Sequence, residues 1–189
     1  DVIDRLGLRR PHVVGGSLGG WLAAELAVAA PHAIGSLVLL SPVGLRLPDH
    51  PVADLFLAKP EQLPGILFKD PARSVVLFPG EPGVEEILAA YRDMTAFARY
   101  AWVPFLNNPK LERRLRRITA PTLVVSPSDD RVVPIAHGHR YAELIRGAEF
   151  AVVPDCGHAM YFERPKEFAD VTADFLTAGT ESTLSGASR

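Results

Sequence analysis

The sequence predicts an α/β protein with a mostly parallel sheet, flanking helices and a helical insertion. Three observations support this fold class. Short apolar strands alternate with helical segments along the chain. A strand, a helix and a second strand follow one another with short joins near the start, which is typical of a right-handed βαβ unit. The second of these strands, residues 35–41, is apolar along most of its length, as expected for a strand covered on both faces.

Composition and charge limit the partners of the chain. Its 189 residues carry a formal net charge of −2, so charge gives no basis for binding nucleic acid or a membrane surface. No apolar run is long enough for a membrane span, and no secretory signal is expected. The single cysteine, Cys156, excludes an internal disulfide and favours a cytoplasmic location. We expect no cofactor, and a small-molecule substrate as the partner.

The first strand and the first long helix enclose a glycine-dense turn. Residues 12–16 are predicted as the strand and residues 18–30 as the helix. Between them lies the pattern Gly15-x-Ser17-x-Gly19, the sequence pattern of a nucleophile elbow. Because a strand precedes this pattern and a helix follows it, we interpret it as a sharp strand-to-helix turn that exposes a reactive serine.

The turn is expected to prepare Ser17 for chemistry. A serine in strained backbone needs small neighbours, and Gly16 and Gly20 are expected to add clearance to that of the flanking glycines. The helix that follows directs its N-terminus at the site, so the backbone N–H of Leu18 is the predicted oxyanion donor. The alternative is a glycine-rich turn that binds an anion or no ligand.

The stretch between the second and third predicted strands, residues 45–108, has a different composition. Prolines are frequent there and separate short apolar helical pieces, the longest of which is residues 84–100. Residues 74–78 are the one part with strand character. We therefore predict a helical cap that is inserted into a core formed by residues 1–44 and 109–178.

A cap of this kind predicts a substrate cavity. If the cap lies over Ser17, some of its aromatic side chains face the cavity, while the others form the core of the cap itself. The predicted pocket residues are Gly16, Trp21, Trp102 and Val133.

The chain after the insertion completes the core. The arginines within residues 110–118 are interpreted as a solvated helix face rather than as a phosphate site. The remaining predicted elements are strands at residues 120–126 and 150–154, helices at residues 135–146 and 165–176, and a loose tail at residues 179–189.

Three polar residues follow the ends of predicted strands: Ser17, Asp130 and His158. The carboxyl ends of parallel strands meet at one edge of a sheet, so these side chains can converge. In a serine hydrolase, a histidine takes the proton of the serine hydroxyl, and a carboxylate orients and stabilises the imidazole. Asp129 is adjacent to Asp130, and the residue types alone do not distinguish the two.

Other reactive side chains have simpler interpretations. His137 and His139 begin a predicted helix, but they lack acidic or cysteine companions at metal-ligand spacing, so no metal site is predicted. Cys156 follows an apolar strand and is interpreted as a small packing residue.

Four stretches of the sequence are informative when they are taken together. They are His12-Val-Val-Gly-Gly-Ser-Leu-Gly-Gly-Trp21, Leu37-Val-Leu-Leu-Ser-Pro42, Pro121-Thr-Leu-Val-Val with Ser128-Asp-Asp-Arg-Val-Val-Pro134, and Cys156-Gly-His158 with Glu163-Arg-Pro165. In these stretches the chain resembles the α/β-hydrolase fold family, in the branch that contains the meta-cleavage-product hydrolases and related esterases. The resemblance implies that the acid is the aspartate directly before Arg-x-x-Pro, which selects Asp130 over Asp129. It also implies that the Gly-His pair supplies His158.

The chain departs from this family in its first part. Members normally carry several strands and a His-Gly loop before the elbow, and the loop supplies a second oxyanion donor. No such segment precedes residue 12 here, so we expect an N-terminal part of the fold to be missing. The elbow strand is then left with an open, apolar edge, which is an association hazard. We expect either a second copy of the chain or the missing segment to cover that edge.

The resemblance implies a hydrolase with a Ser17, His158 and Asp130 triad. The apolar insertion favours an ester, a thioester or a carbon–carbon bond next to a ketone, in a small and largely apolar substrate. The rival hypothesis is a non-catalytic or truncated, inactive relative of these enzymes.

Overall fold

A computed structural model describes the backbone of residues 2–186 and the side chains as far as residue 178. Its centre is a four-stranded parallel sheet in the order β1-β2-β3-β4. The strands are β1 (His12–Gly16), β2 (Ser36–Leu40), β3 (Thr122–Pro127) and β4 (Glu149–Val153). The predicted α/β class with a parallel sheet is confirmed.

Eight helices accompany the sheet in the described part of the chain. They are α1 (Val2–Arg5), α2 (Leu18–Ala29), α3 (Leu63–Leu67), α4 (Val84–Ala101), α5 (Leu111–Arg114), α6 (Ile135–Leu144), α7 (Met160–Glu163) and α8 (Pro165–Gly186). Short 3₁₀ turns span Pro60–Gln62, Pro71–Val76 and Leu115–Arg117. Over the residues searched, none of the helices combines the length and apolar character that crossing a bilayer requires.

Helices cover both faces of the sheet. In β2, Leu37 and Leu39 belong to an apolar cluster with α2 and with Tyr141 of α6. Val38 and Leu40 alternate with them and belong to a second cluster, which contains Met160 and the inner face of α8. Because successive side chains of a strand point to opposite faces, α2 and α6 lie on one side and α8 on the other. This arrangement explains why β2 is buried at every residue.

The strand register brings the functional loops to one edge of the sheet. Gly16 is the register partner of Leu40, Leu40 of Val125, and Val125 of Ala151. All strands are parallel, so the loops after β1, β3 and β4 leave the sheet at its carboxyl edge. These are the loops that carry Ser17, Asp130 and His158.

Strand β1 lies at the margin of the sheet. Within the described residues its strand partner is β2 alone. Val14 in this strand is 47% exposed, so the face of β1 from which its side chain projects is partly uncovered as well. The marginal position of β1 agrees with the expected edge on the elbow strand, whereas what covers that edge stays a prediction.

Residues 45–108, the predicted insertion, lie between β2 and β3 and contain helices and turns. Helix α4 ends one residue beyond its predicted end. Strand character for residues 74–78 was wrong, because Pro71–Val76 forms a 3₁₀ turn that the Asp70 side chain caps through the Ala72 N–H.

Two further elements bear on the predicted domains. Helix α4 is exposed over residues 84–96 and attaches to the protein near its C-terminal end, where Phe97 stacks on Phe56. Helix α8 does not end near residue 176 but continues to Gly186, since no proline interrupts its small polar residues. The side chains of the predicted loose tail, residues 179–189, and the backbone of residues 187–189 lie outside the described part.

Candidate active site

Ser17 occupies a strained turn between β1 and α2. Its φ is +54°, in the left-handed region that non-glycine residues rarely adopt. The Ser17 N–H donates to the Leu40 carbonyl at 2.8 Å, and the Ser17 carbonyl accepts from the Trp21 N–H at 3.2 Å. The neighbouring strand and the first turn of α2 therefore hold the strained residue in place, as functional turns of this kind require.

Two of the four glycines around Ser17 are required by their surroundings. A Cβ atom on Gly15 would lie 2.3 Å from the Gly19 carbonyl oxygen, and one on Gly20 would lie 3.0 Å from Pro42. A Cβ on Gly16 would meet Leu40 at an ordinary 3.8 Å, and one on Gly19 would meet nothing within 4 Å. The expectation that only small residues fit is therefore correct at Gly15 and Gly20. It is wrong at Gly16 and Gly19, where an added Cβ atom has room.

Asp130 and His158 form a buried hydrogen-bonded pair. The His158 Nδ1 lies 2.9 Å from Asp130 Oδ2 and 3.1 Å from Oδ1, and the two side chains are 8% and 1% exposed. The backbone N–H groups of Val132 and Val133 donate to Asp130 Oδ1 at 2.8 and 2.9 Å. The Asp130 carboxylate thus fixes the imidazole with Nδ1–H as the donor, which leaves Nε2 free to act as a base.

The charge of Asp130 follows from the same contacts. Burial by itself raises the pKa of this carboxyl, but the hydrogen bond and charge of His158, with the N–H of Val133, outweigh it and lower the pKa below the ordinary value. The group is therefore a carboxylate at neutral pH.

Asp129 has a different environment. Its carboxylate accepts hydrogen bonds from the Ser128 hydroxyl and from Lys69 Nζ, and its side chain is 36% exposed. The structure pairs the histidine with Asp130, the residue that the Arg-x-x-Pro motif selected.

Ser17 and His158 both lie on loops of the carboxyl edge, after the two outer strands β1 and β4, and no hydrogen bond joins Ser17 Oγ to His158 among the described side chains. The structure thus brings together two of the three predicted catalytic residues. The third remains a prediction from the strained turn and the sheet topology.

The predicted oxyanion donor is the first residue of α2. Leu18 begins this 12-residue helix, so its N–H has no acceptor within the helix and lies at the positive end of the helix dipole.

The four predicted pocket residues have different surroundings. The Trp21 ring packs beside Gly44, and its Nε1–H donates to Glu25. Val133 is buried in an apolar cluster, and a Cβ on Gly16 would face Leu40. Trp102 is 53% exposed, and its ring lies edge-to-face with the Phe56 ring at a distance of 5.3 Å between the ring centres. Their role in binding substrate stays a prediction.

The inserted segment contacts the loop that carries Asp130. The Ala53 N–H donates to the Val132 carbonyl at 2.8 Å, and Arg131 donates to the Gly65 carbonyl. Val132 and Val133 share their apolar cluster with aromatic side chains of the insertion, namely Phe56, Phe97 and Phe105.

The other reactive side chains that the sequence analysis considered, two histidines and a cysteine, make packing contacts or hydrogen bonds to the backbone. His137 is buried and its Nε2 lies 2.8 Å from the His50 carbonyl, while the His139 ring packs on Phe150. Burial raises the pKa of the Cys156 thiol to about 12, as expected for a packing residue. In the part of the chain that was searched, no three His, Cys, Asp or Glu side chains are grouped to hold a metal. No sequence pattern assigned a role to Glu163, which is 2% exposed and lies close to His158 in the chain.

The family model of the alpha/beta hydrolase family matches residues 1–171. The chain belongs to this family. This confirms the family that the sequence motifs predicted, with its fold of a mostly parallel sheet and flanking helices.

Individual relatives are hydrolases. The chain is 32% identical to a 2-hydroxy-6-oxononadienedioate/2-hydroxy-6-oxononatrienedioate hydrolase of Paraburkholderia phymatum, over 93% of this chain and 65% of the relative. It is 26% identical to monoacylglycerol lipase abhd6-A of Xenopus laevis, over 93% of this chain and 58% of the relative. A crystal structure of a meta-cleavage product hydrolase superposes with a TM-score of 0.72 at 22% identity, over 94% of this chain and 68% of that one. The chain therefore spans less than two thirds of the length of both named sequence relatives.

Proposed function

We propose that the protein is a serine hydrolase in which Ser17, His158 and Asp130 act as a catalytic triad. In this mechanism the Ser17 hydroxyl attacks a carbonyl carbon and gives its proton to His158 Nε2. The Leu18 N–H stabilises the oxyanion, and the imidazolium returns the proton to the leaving group. Water then hydrolyses the acyl-enzyme by the same transfers in reverse. Asp130 stabilises the imidazolium throughout.

The single observation that supports this proposal best is the buried pair of Asp130 and His158. The Asp130 carboxylate is removed from solvent, and two backbone N–H groups and the imidazole take the place of its hydration, which holds the imidazole in one orientation. It lies at the sheet edge where Ser17 is held at a positive φ.

The proposed substrate is small and largely apolar, and the reacting bond is an ester, a thioester or a carbon–carbon bond next to a ketone. The aromatic and aliphatic side chains of residues 45–108 beside the Asp130 loop support an apolar substrate. Carbon–carbon hydrolysis draws further support from the relative named for 2-hydroxy-6-oxo dienedioates, and ester hydrolysis from the monoacylglycerol lipase.

A fluorophosphonate probe tests the triad in the protein at its native length. We expect covalent labelling of the wild type, loss of labelling in Ser17→Ala and strong loss in His158→Gln. Ser128→Ala is the matched control, because its exposed hydroxyl bonds Asp129 and is not proposed to be nucleophilic. Absence of labelling in folded wild type would support the rival hypothesis of a non-catalytic relative.

The reacting bond is distinguished by parallel assays. Release of p-nitrophenol from acetate, butyrate and octanoate esters measures ester hydrolysis, and bleaching of a coloured 2-hydroxy-6-oxo-dienoate measures carbon–carbon cleavage. Each activity should disappear in Ser17→Ala. An activity that survives this substitution would not belong to the proposed site.

A further inference from the structure

The backbone around His158 is fixed by hydrogen bonds on both sides of the residue. The N–H of Gly157 donates to the Glu163 side chain at 2.5 Å, and the N–H of Ala159 donates to the Leu67 carbonyl at 2.9 Å. The histidine thus lies between two anchored peptide groups. One anchor is a buried acidic side chain, and the other is a backbone carbonyl of the inserted segment.

The Glu163 side chain connects these two anchors. It is 2% exposed and accepts from three backbone N–H groups, those of Gly157, Lys69 and Asp70. One oxygen, Oε2, accepts from both Gly157 and Lys69, while Oε1 accepts from Asp70 at 3.0 Å. A single oxygen atom therefore bridges the loop of His158 and the segment that contains Leu67.

The two segments approach each other backbone to backbone. A Cβ atom on Gly157 would lie 2.7 Å from the Lys69 nitrogen and 2.9 Å from the Leu67 oxygen. Such contacts are too short for any side chain, so only glycine permits this approach. The Arg73 guanidinium reinforces this junction between the His158 loop and residues 67–70 by donating to the Glu163 backbone carbonyl at 2.7 Å.

The ion pairs on the outer side of the junction are weaker supports. Lys69 Nζ lies 3.1 Å from Asp129 and 2.8 Å from Asp155, but the three side chains are 36–61% exposed. Exposed ion pairs of this kind contribute little to stability. Hydrogen bonds to a buried charged side chain contribute more, and their loss leaves buried N–H groups without an acceptor.

We propose that Glu163 is a positioning residue, whose buried side chain holds the backbone of the His158 loop so that the imidazole meets Asp130 in the geometry that catalysis needs. Its connection to residues 67–70 makes the inserted segment part of the same support. The catalytic consequence rests on the proposed function, whereas the geometry of the His158–Asp130 pair does not.

The test compares Glu163→Ala, Glu163→Gln and Glu167→Gln in the protein at its native length. Glu167 is exposed and lies four residues further on, so its substitution is the matched control. In Glu163→Gln the amide oxygen can still bridge Gly157 and Lys69, but its NH₂ group then faces the Asp70 N–H. In Glu163→Ala all three acceptor contacts are lost.

We expect kcat to fall about 10²-fold in Glu163→Ala, because misplacement of a catalytic group by about 1 Å costs this much. The fall should be about tenfold in Glu163→Gln, with KM near that of the wild type in both. The proton NMR signal of the His158 Nδ1–H, assigned by its loss in His158→Gln, should broaden or vanish in Glu163→Ala. It should persist in Glu167→Gln.

A folded Glu163→Ala that keeps this signal and the wild-type kcat would overturn the proposal. If Glu163→Ala does not fold, Glu163→Gln decides: a weakened signal in a folded variant supports the proposal, and an unchanged signal with unchanged kcat overturns it. The signal requires no turnover. If the wild type proves inactive, the proposed function fails, while the positioning of His158 by Glu163 is still tested.

Discussion

Asp130 and Asp129 are adjacent in sequence, but they have opposite surroundings. The Asp130 side chain is 1% exposed and bonds His158, whereas the Asp129 side chain is 36% exposed and bonds Lys69 and Ser128. Since strand β3 ends at Pro127, a shift of one residue in the loop decides which carboxylate points into the protein. The roles of the two residues can therefore be separated by the same substitution at each.

We expect Asp130→Asn to lower kcat on the order of 10⁴-fold, because an amide favours the wrong tautomer of the imidazole and cannot stabilise its charge. Asp129→Asn, the matched control, should stay near the wild-type rate. Hydrolysis kinetics on the substrate identified by the assays above would measure both. Equal losses in the two variants would contradict the assignment of Asp130 as the acid.

His137 is neutral in the folded protein by virtue of its burial. His137 is 1% exposed, and its Nε2–H donates to the His50 carbonyl. Its other ring nitrogen, Nδ1, has no hydrogen-bond partner in the described part of the chain. Burial lowers the pKa of this imidazole below its ordinary value, and the hydrogen bond to the His50 carbonyl and the charge of Asp130 oppose this effect only in part. In the unfolded chain a histidine titrates near pH 6.5, about its ordinary value.

The stability of the protein should therefore depend on pH through His137. Below about pH 6.5 the unfolded chain binds a proton that the folded protein does not, so the free energy of unfolding falls as the pH is lowered from there towards the folded pKa. His137→Phe should flatten this slope between about pH 5 and 7, whereas His32→Gln, at an exposed position, should keep it. Urea unfolding over this range measures the slopes. Equal slopes in the wild type and His137→Phe would refute the prediction.

At the scale of elements, the turn between β1 and α2 depends on one close backbone contact. The Cα of Gly15 faces the Gly19 carbonyl so closely that a methyl group would lie 2.3 Å from its oxygen. Because the obstacle is backbone, it can move only by distorting the first turn of α2. Gly19 itself has free space where its own Cβ would lie.

Alanine substitutions at the two positions should have opposite effects. We expect Gly15→Ala to lower the free energy of unfolding by about 1–3 kcal/mol through overpacking. Gly19→Ala should raise it by roughly 0.5–1 kcal/mol, since alanine is favoured over glycine inside a helix. Denaturant unfolding of both variants measures the difference. A Gly15→Ala variant as stable as the wild type would contradict the role of this contact.

The elements that local patterns determine were predictable from the sequence. Strand β1 and helix α2 follow from the apolar strand, the glycine turn and Pro31. The pairing of Asp130 with His158 was predictable because each residue follows a strand and because the family resemblance selects Asp130 over Asp129. The turn Pro71–Val76 was missed, since apolar residues after a proline also fit a strand. The support by Glu163 was not predictable, because two of its three partners are backbone N–H groups more than 90 residues away in the chain, and every residue type except proline supplies such a group.

At the scale of the whole molecule, the carboxyl edge of the sheet carries the loops of the proposed chemistry, while the side of β1 away from β2 has no strand partner among the described residues. The carboxyl edge collects the loops of Ser17, Asp130 and His158, and the inserted segment packs on two of its residues, Val132 and Val133. Burial on both faces fixes β2 and β3. Strand β1, which presents Ser17, is held within the described residues by β2 on one side alone.

The hydrogen bonds of β1 show which of its peptide groups face this open side. The Pro11 carbonyl accepts from Gly35, and the Ser17 N–H donates to Leu40, so both face β2. Peptide groups alternate along a strand, and the N–H groups of Val14 and Gly16 therefore face away from β2. These two amides report directly on whether another strand covers the edge.

We expect the Val14 and Gly16 amides to exchange slowly in the protein at its native length, because an open apolar edge on the strand that carries the proposed nucleophile invites pairing. In the 189-residue chain at low concentration they should exchange quickly, while the inward amides of Val13 and Gly15 stay protected. Hydrogen exchange measured by NMR distinguishes these four amides.

Protection that rises with the concentration of the 189-residue chain would identify a second copy as the cover, whereas concentration-independent protection only at native length would identify a segment of the same protein. Fast exchange of Val14 and Gly16 under both conditions would show that the edge is not covered by a strand, and the expectation would be wrong.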